Sequence, residues 1–136
     1  MTLSWLAWLA WVAVASAAGG AARFLVSGLV ARGVGETFPW GTLAVNTTGA
    51  FAIGVMAGAA DAEAFAASNF VWPAAVIGFL GSYTTVSSFS LQTLALAREG
   101  GWLRAAGNIV LSLVLCLSAA ALGLAAALAA AGGSGP

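Results

Sequence analysis

Gly78-Phe-Leu-Gly-Ser-Tyr-Thr-Thr-Val-Ser-Ser-Phe-Ser-Leu91 sets a run of hydroxyl side chains inside an apolar stretch that reaches from Phe70 to Ala97. Such groups are neutral, compact and hard, and they can replace water around a small ion without ionising. The stretch is long enough to cross a bilayer, yet its centre makes a poor lipid-facing helix. Polar or irregular backbone at membrane depth survives only where protein or a water-filled cavity satisfies it. A broken membrane helix that handles an ion or a small polar solute is the expectation. Gly81 and the Thr84, Thr85 pair mark where the ladder opens, and carbonyls freed there can bind a cation. Ser87, Ser88 and Ser90 add rotatable hydroxyls. Phe89 adds a ring whose edge is electropositive and can face a small anion, although ordinary packing explains a lone phenylalanine equally well.

Three other sites carry polar chemistry. Asn46, with Thr42, Thr47 and Thr48 nearby, offers two N–H donors and one acceptor. It suits either an anion that must shed water or a hydrogen bond between helices. Arg23 is the one charge inside a span, and reads either as a cation that draws anions toward a pore or as a snorkelling or carbonyl-clamping side chain. Asn108, Ser112 and Cys116 recur at a spacing of four and so share one helix face. Ser112 and Asn108 can extend a polar track along it.

These residues need an apolar frame, and the composition supplies one. Of 136 residues, 62% are hydrophobic and 6% charged, against about 25% charged in a soluble domain. The chain is expected to be an all-α membrane protein forming a single unit of four spans, each near the length that crosses the hydrocarbon core. They cover 3–31, 40–60, 70–97 (broken at about 81–88) and 103–131. Gly33, Gly35 and Pro39 punctuate the first connection. The tryptophans (5, 8, 11, 40, 72 and 102) lie near span ends, where an amphipathic indole anchors at the interface. The N-terminal run lacks the basic flank of a signal peptide and is expected to be a retained first helix. Gly54 and Gly58 make a small-xxx-small pair suited to close helix approach, either within one chain or between two.

Several function classes drop out. There is no lysine and no basic cluster, so nucleic acid is not an expected partner. There is no histidine, and Cys116 is the one cysteine, which excludes a disulfide framework and disfavours a His/Cys metal site. Glu36, Asp61, Glu63 and Glu99 all fall in predicted loops, so no pair of titratable groups can be built inside the spans. The chain is expected not to be an enzyme.

The combination of motifs resembles the Fluc (CrcB) family of small fluoride channels across all four spans. Gly19-Gly-Ala-Ala-Arg23, Pro39-Trp-Gly-Thr-Leu-Ala-Val-Asn46 with Thr47-Thr48-Gly49, and Gly78-Phe-Leu-Gly81 with Thr84-Thr85 and Ser87-Ser88-Phe89-Ser90 carry the likeness. The resemblance implies a multi-pass protein of the inner (plasma) membrane and passive export of fluoride that lowers its cytoplasmic level. It implies an antiparallel dimer with pores at the subunit interface. It implies a structural sodium ion at the dimer centre, held by the backbone carbonyls of Gly81 and Thr84. It also implies that Asn46 lines the fluoride path beside helix 3 phenylalanines. The expected pathway residues are therefore Asn46, Thr85, Ser88, Phe89 and Ser112, with Arg23. Four positions depart from the family pattern: Val86 stands where the first phenylalanine is expected, Gln92 replaces a glutamate, Asn108 a tyrosine and Cys116 a serine.

Charge placement bears on assembly. Arg32 lies in the first connection, and Arg98 and Arg104 flank the third, while the opposite side has no Lys or Arg. The positive-inside rule places the arginine-bearing end in the cytoplasm. A homodimer of opposed subunits needs little bias. A biased chain fits a heterodimer instead, in which a subunit with degenerate pore positions requires an unlike partner of opposite topology. A four-helix multidrug antiporter is a rival architecture, but it needs a carboxylate within a span and none is present.

Overall fold

The computed structural model describes residues 2–59, 72 and 74–132. The second connection, the start of the third span and the C-terminal tail lie outside the described residues, with the expected boundaries at 60 and 70. Every described element is helical. Helix α1 spans Thr2–Val34 and α2 spans Trp40–Ala59. Helix α3 joins a π-helical stretch, Ala74–Leu80, to a short α-helical one, Gly81–Tyr83. Helix α4 spans Val86–Arg98 and α5 spans Trp102–Gly132. Helices α3 and α4 together form the third span, and among the described residues four spans are long and apolar enough to cross a membrane.

The ends are set by local chemistry. Arg32 lies in the last turn of α1, where a cation complements the helix dipole. The chain then passes into Gly35, whose φ of 94° needs a residue without Cβ and whose N–H donates to the Ala31 carbonyl at 2.9 Å. Pro39 precedes α2, a position where its missing N–H costs nothing. Arg98 closes α4, and Gly100, with φ 78°, turns the chain toward α5. The Arg104 guanidinium donates to the Thr37 carbonyl at 3.4 Å, so the first and third connections meet at the same end of the bundle.

Glycines bring the helix backbones together. A Cβ on Gly54 would run into the backbone of Ala120, one on Gly58 would stand 2.7 Å from the Ala127 methyl, and one on Gly123 would run into the Phe51 carbonyl. The small-xxx-small pair therefore packs α2 on α5 within the chain. Gly19 and Gly78 serve α1 and α3 in the same way, against Phe79 and against Val12 and Ala15. The buried apolar residues are few, among them Leu43, Val45, Leu80, Tyr83 and Leu96. Large side chains such as Phe24, Leu103 and Leu117 point outward, as they do where lipid is the solvent.

Candidate functional site

The interruption of the third span is narrower than the 81–88 expected from sequence. Gly81, Ser82 and Tyr83 remain helical, and Ser87 and Ser88 already belong to α4. Only Thr84 (ψ 159°) and Thr85 (φ −152°, ψ 122°) are extended. Extended backbone suits β-branched threonine, which resists helix at χ1.

Side chains replace the hydrogen bonds that the break removes. Asn46 Nδ2–H donates to the Thr85 carbonyl at 2.9 Å, and the Thr85 N–H donates to Asn46 Oδ1 at 2.8 Å. One carboxamide from α2 thus grips both polar groups of one peptide, and one of its N–H groups is left for another acceptor. The Ser88 N–H donates to Thr85 Oγ1 at 3.2 Å, which makes Thr85 the N-cap of α4. The Thr85 hydroxyl also lies 3.2 Å from Ser87 Oγ and donates to Ser88 Oγ at 3.1 Å.

The carbonyls of Gly81, Ser82, Tyr83 and Thr84 all lose their helical donors at the interruption, and for Gly81 and Thr84 a side chain holds the N–H that would have closed on them. In a continuous helix, the N–H of residue i+4 closes on the carbonyl of residue i. The Thr85 N–H would close on Gly81, and it goes to Asn46 instead. The Ser88 N–H would close on Thr84, and it goes to Thr85 Oγ1. Gly81 and Thr84 are the two positions where the family resemblance implies a cation held by backbone oxygens. Neutral carbonyl oxygens are hard ligands, so the donor set fits a hard cation. Among the described residues, no cluster of His, Cys, Asp and Glu offers another metal site.

The tip of α3 is fixed from α2. Thr48 and Tyr83 hydroxyls lie 2.8 Å apart, and Tyr83 stacks on Phe79 with ring centroids at 5.8 Å. A Cβ on Gly49 would collide with the Thr84 methyl and stand 3.4 Å from the Tyr83 ring. Gly49 therefore makes the room in which the break sits. Thr84 returns its own hydroxyl to the Leu80 carbonyl at 2.9 Å.

Thr85 separates two cavities. The larger, about 610 Å³, runs from Glu36 and Phe38 at the arginine-bearing end down to Arg23, Thr85, Ser88 and Gln92. The smaller, about 320 Å³, is lined by Asn46, Gly81, Thr84, Thr85, Val86 and Cys116. Arg23, Thr85 and Ser88 thus come together on one side of the break. Asn46 joins Gly81 and Thr84 on the other. Phe89 is placed elsewhere, lining a groove against α5 with Thr93, Trp102 and Ala105. Ser112 is half-buried on α5 and lines none of these three spaces.

The positions that depart from the family pattern have distinct surroundings. Val86 is 76% exposed beside the break. Gln92 Oε1 is buried without a hydrogen-bond partner at the large cavity. Asn108 is buried and donates to Thr93 Oγ1 at 2.8 Å, and Thr93 passes a bond to the Phe89 carbonyl at 2.7 Å. Cys116 Sγ lies 4.0 Å from Thr47 Oγ1. The face of α5 read as a polar track therefore packs partly on α4 and partly on α2. Sequence reasoning missed the Thr48–Tyr83 bond and the capping role of Thr85. Thr85 itself carried a signal for the second, since threonine is a favoured residue just before the first turn of a helix.

A family model described as CrcB-like protein, Camphor Resistance (CrcB), matches residues 10–124. The chain is 60% identical over 113 residues to a protein named fluoride-specific ion channel FluC 2 from Rhodopseudomonas palustris (strain BisB18), covering 82% of this chain and 86% of that one. It is 56% identical over 110 residues to a protein of the same name from Bradyrhizobium diazoefficiens, covering 79% and 80%. It is 53% identical over 112 residues to fluoride-specific ion channel FluC from Opitutus terrae, covering 79% and 82%.

Proposed function

The chain belongs to the CrcB family of membrane ion channels, and on that footing we propose that it is a subunit of a fluoride-selective channel that lets fluoride leave the cell passively. Four apolar spans make it a multi-pass membrane protein, and the family is one of channels rather than enzymes. The observation that carries the reading is the break at Thr84 and Thr85, with Asn46 on one side and Arg23 on the other.

Fluoride is small and strongly hydrated, so a path must replace its water with several close donors. Arg23 and the open large cavity draw the anion to the break. The Ser88 hydroxyl, held by the Thr85 hydroxyl that donates to it, and the second Asn46 N–H then offer neutral donors that do not trap it. In this reading the exposed face around Gly81 and Val86 meets a second, inverted subunit, and Phe89 and Ser112 join the path there. A sodium ion held by the Gly81 and Thr84 carbonyls of both subunits would supply fixed positive charge at the centre. One lost hydrogen bond to a charged group corresponds to about 1.5–3 kcal/mol. Asn46→Ala is therefore expected to lower fluoride efflux from proteoliposomes at least about tenfold. Unchanged efflux would leave Asn46 as a packing residue only.

A second reading, pairing with an unlike subunit of opposite topology, draws on the charge bias. The bond from Arg104 to Thr37 gathers Arg32, Arg98 and Arg104 at one end, and a biased chain inserts mainly one way. Crosslinking of native membranes followed by mass spectrometry separates the two. A crosslinked dimer containing this chain alone rejects the unlike partner.

A further inference from the structure

We propose that Asn46 is a positioning residue for the cation site: its Oδ1, by taking the Thr85 N–H, keeps the Gly81 carbonyl open for a metal ion. The anion path and the cation site would then share one side chain. The inference rests on the channel reading of the break and extends it to what holds the break open.

Local sequence does not force the interruption. Tyr83-Thr-Thr-Val86 contains no proline and no glycine. Threonine and valine are weak helix formers, but each costs no more than about 0.7 kcal/mol relative to alanine. An unpaired backbone group inside a membrane costs several times that. Left to itself, the Thr85 N–H would therefore turn back to Gly81 and extend α3 through the break. It is prevented from outside, by a carboxamide 39 positions away in the chain that supplies an acceptor at 2.8 Å and a donor at 2.9 Å. The Thr48–Tyr83 bond and the space over Gly49 hold α3 at the height where this exchange is possible. Thr85 Oγ1 performs the matching service for Thr84 by holding the Ser88 N–H. Two side-chain oxygens thus keep two N–H groups away from the Gly81 and Thr84 carbonyls, which would hold the cation.

The two halves of the Asn46 carboxamide have separable duties. Its oxygen alone frees the Gly81 carbonyl. Its nitrogen steadies the Thr85 carbonyl and keeps one N–H for an anion. Asn46→Asp retains an oxygen acceptor and removes the N–H groups, whereas Asn46→Ala removes both.

The test is a sodium titration of the thermal unfolding of the full-length protein, with N-methylglucamine holding ionic strength constant, together with hydrogen exchange of the peptide containing Thr85. The unaltered protein is expected to show saturable stabilisation by sodium. Asn46→Ala is expected to move the sodium midpoint up at least tenfold. Asn46→Asp is expected to hold the midpoint within threefold and to keep the Thr85 peptide protected, while its fluoride efflux falls. An Asn46→Ala midpoint equal to that of the unaltered protein would overturn the coupling alone. So would an Asp variant with a midpoint as weak as alanine's, which also serves if Asn46→Ala does not fold. An unaltered protein indifferent to sodium would overturn the cation reading and the coupling with it.

Discussion

Thr85→Val isolates the hydroxyl at the centre of the break. Valine has the same shape and the same β-branched preference for extended backbone, so the φ of −152° and ψ of 122° remain comfortable. The Thr85 peptide keeps its two bonds to Asn46, because those are made by backbone. What disappears is the acceptor for the Ser88 N–H at 3.2 Å and the shared partner of the Ser87 and Ser88 hydroxyls. Loss of an N-cap acceptor costs about 1 kcal/mol, within a range of about 0.5–2. Thr85 is 8% exposed, so water replaces the lost group only in part, and the upper half of that range applies. The freed Ser88 N–H can also turn to the Thr84 carbonyl and lengthen α4 backward. We expect Thr85→Val to lose about 1–2 kcal/mol in reversible denaturation of the purified protein. Fluoride efflux is expected to fall several-fold, and Thr85→Ser, which retains the oxygen, is expected to stay close to the unaltered protein in both assays. A valine variant with unaltered stability and efflux would refute the view that the Thr85 hydroxyl builds the break.

The helix contacts give a paired prediction. Gly123→Ala would press a methyl into the Phe51 backbone and is expected to destabilise by about 1–3 kcal/mol, whereas Gly107→Ala, with nothing within 4 Å, is expected to be neutral or to stabilise by up to about 1 kcal/mol; thermal unfolding in one detergent compares them. Orientation is checked with a cysteine at Glu99 in a Cys116→Ser background: the tag is expected to be shielded from impermeant maleimide in most copies in intact cells and to react after the inner membrane is opened. Labelling of half the copies from outside would mean dual topology. Gly49→Val is expected to abolish efflux, since its side chain would occupy the space of the Thr84 methyl; efflux at the unaltered rate would mean that the break does not depend on that space.

The spans were legible because their signal is compositional: long apolar runs bounded by Gly, Pro and charge. The chemistry of the break was legible as well, because hydroxyls crowded at membrane depth have few other uses. Its extent was not. The Thr84 N–H still reaches the Leu80 carbonyl at 3.0 Å, so Gly81–Tyr83 stay helical, and the ladder opens only where Asn46 intervenes. A pairing across 39 positions leaves no mark in local spacing. For Gly54 and Gly58, sequence left contacts within and between chains equally open; their close approach to Ala120 and Ala127 of α5 places them within. Asn108 read as a member of a polar track because its neighbours four and eight residues on are polar or small. The structure turns it to Thr93 and buries it, since α4 approaches α5 at that level. Phe89 follows the same geometry and lies against α5.

The most direct test of the account is anion efflux from liposomes that contain the purified chain, read in parallel with fluoride and chloride electrodes after the potential is clamped with valinomycin. Fluoride is expected to leave rapidly, with chloride efflux at the level of protein-free vesicles. Chloride leaving as fast as fluoride, or fluoride leaving no faster than from empty vesicles, would contradict it.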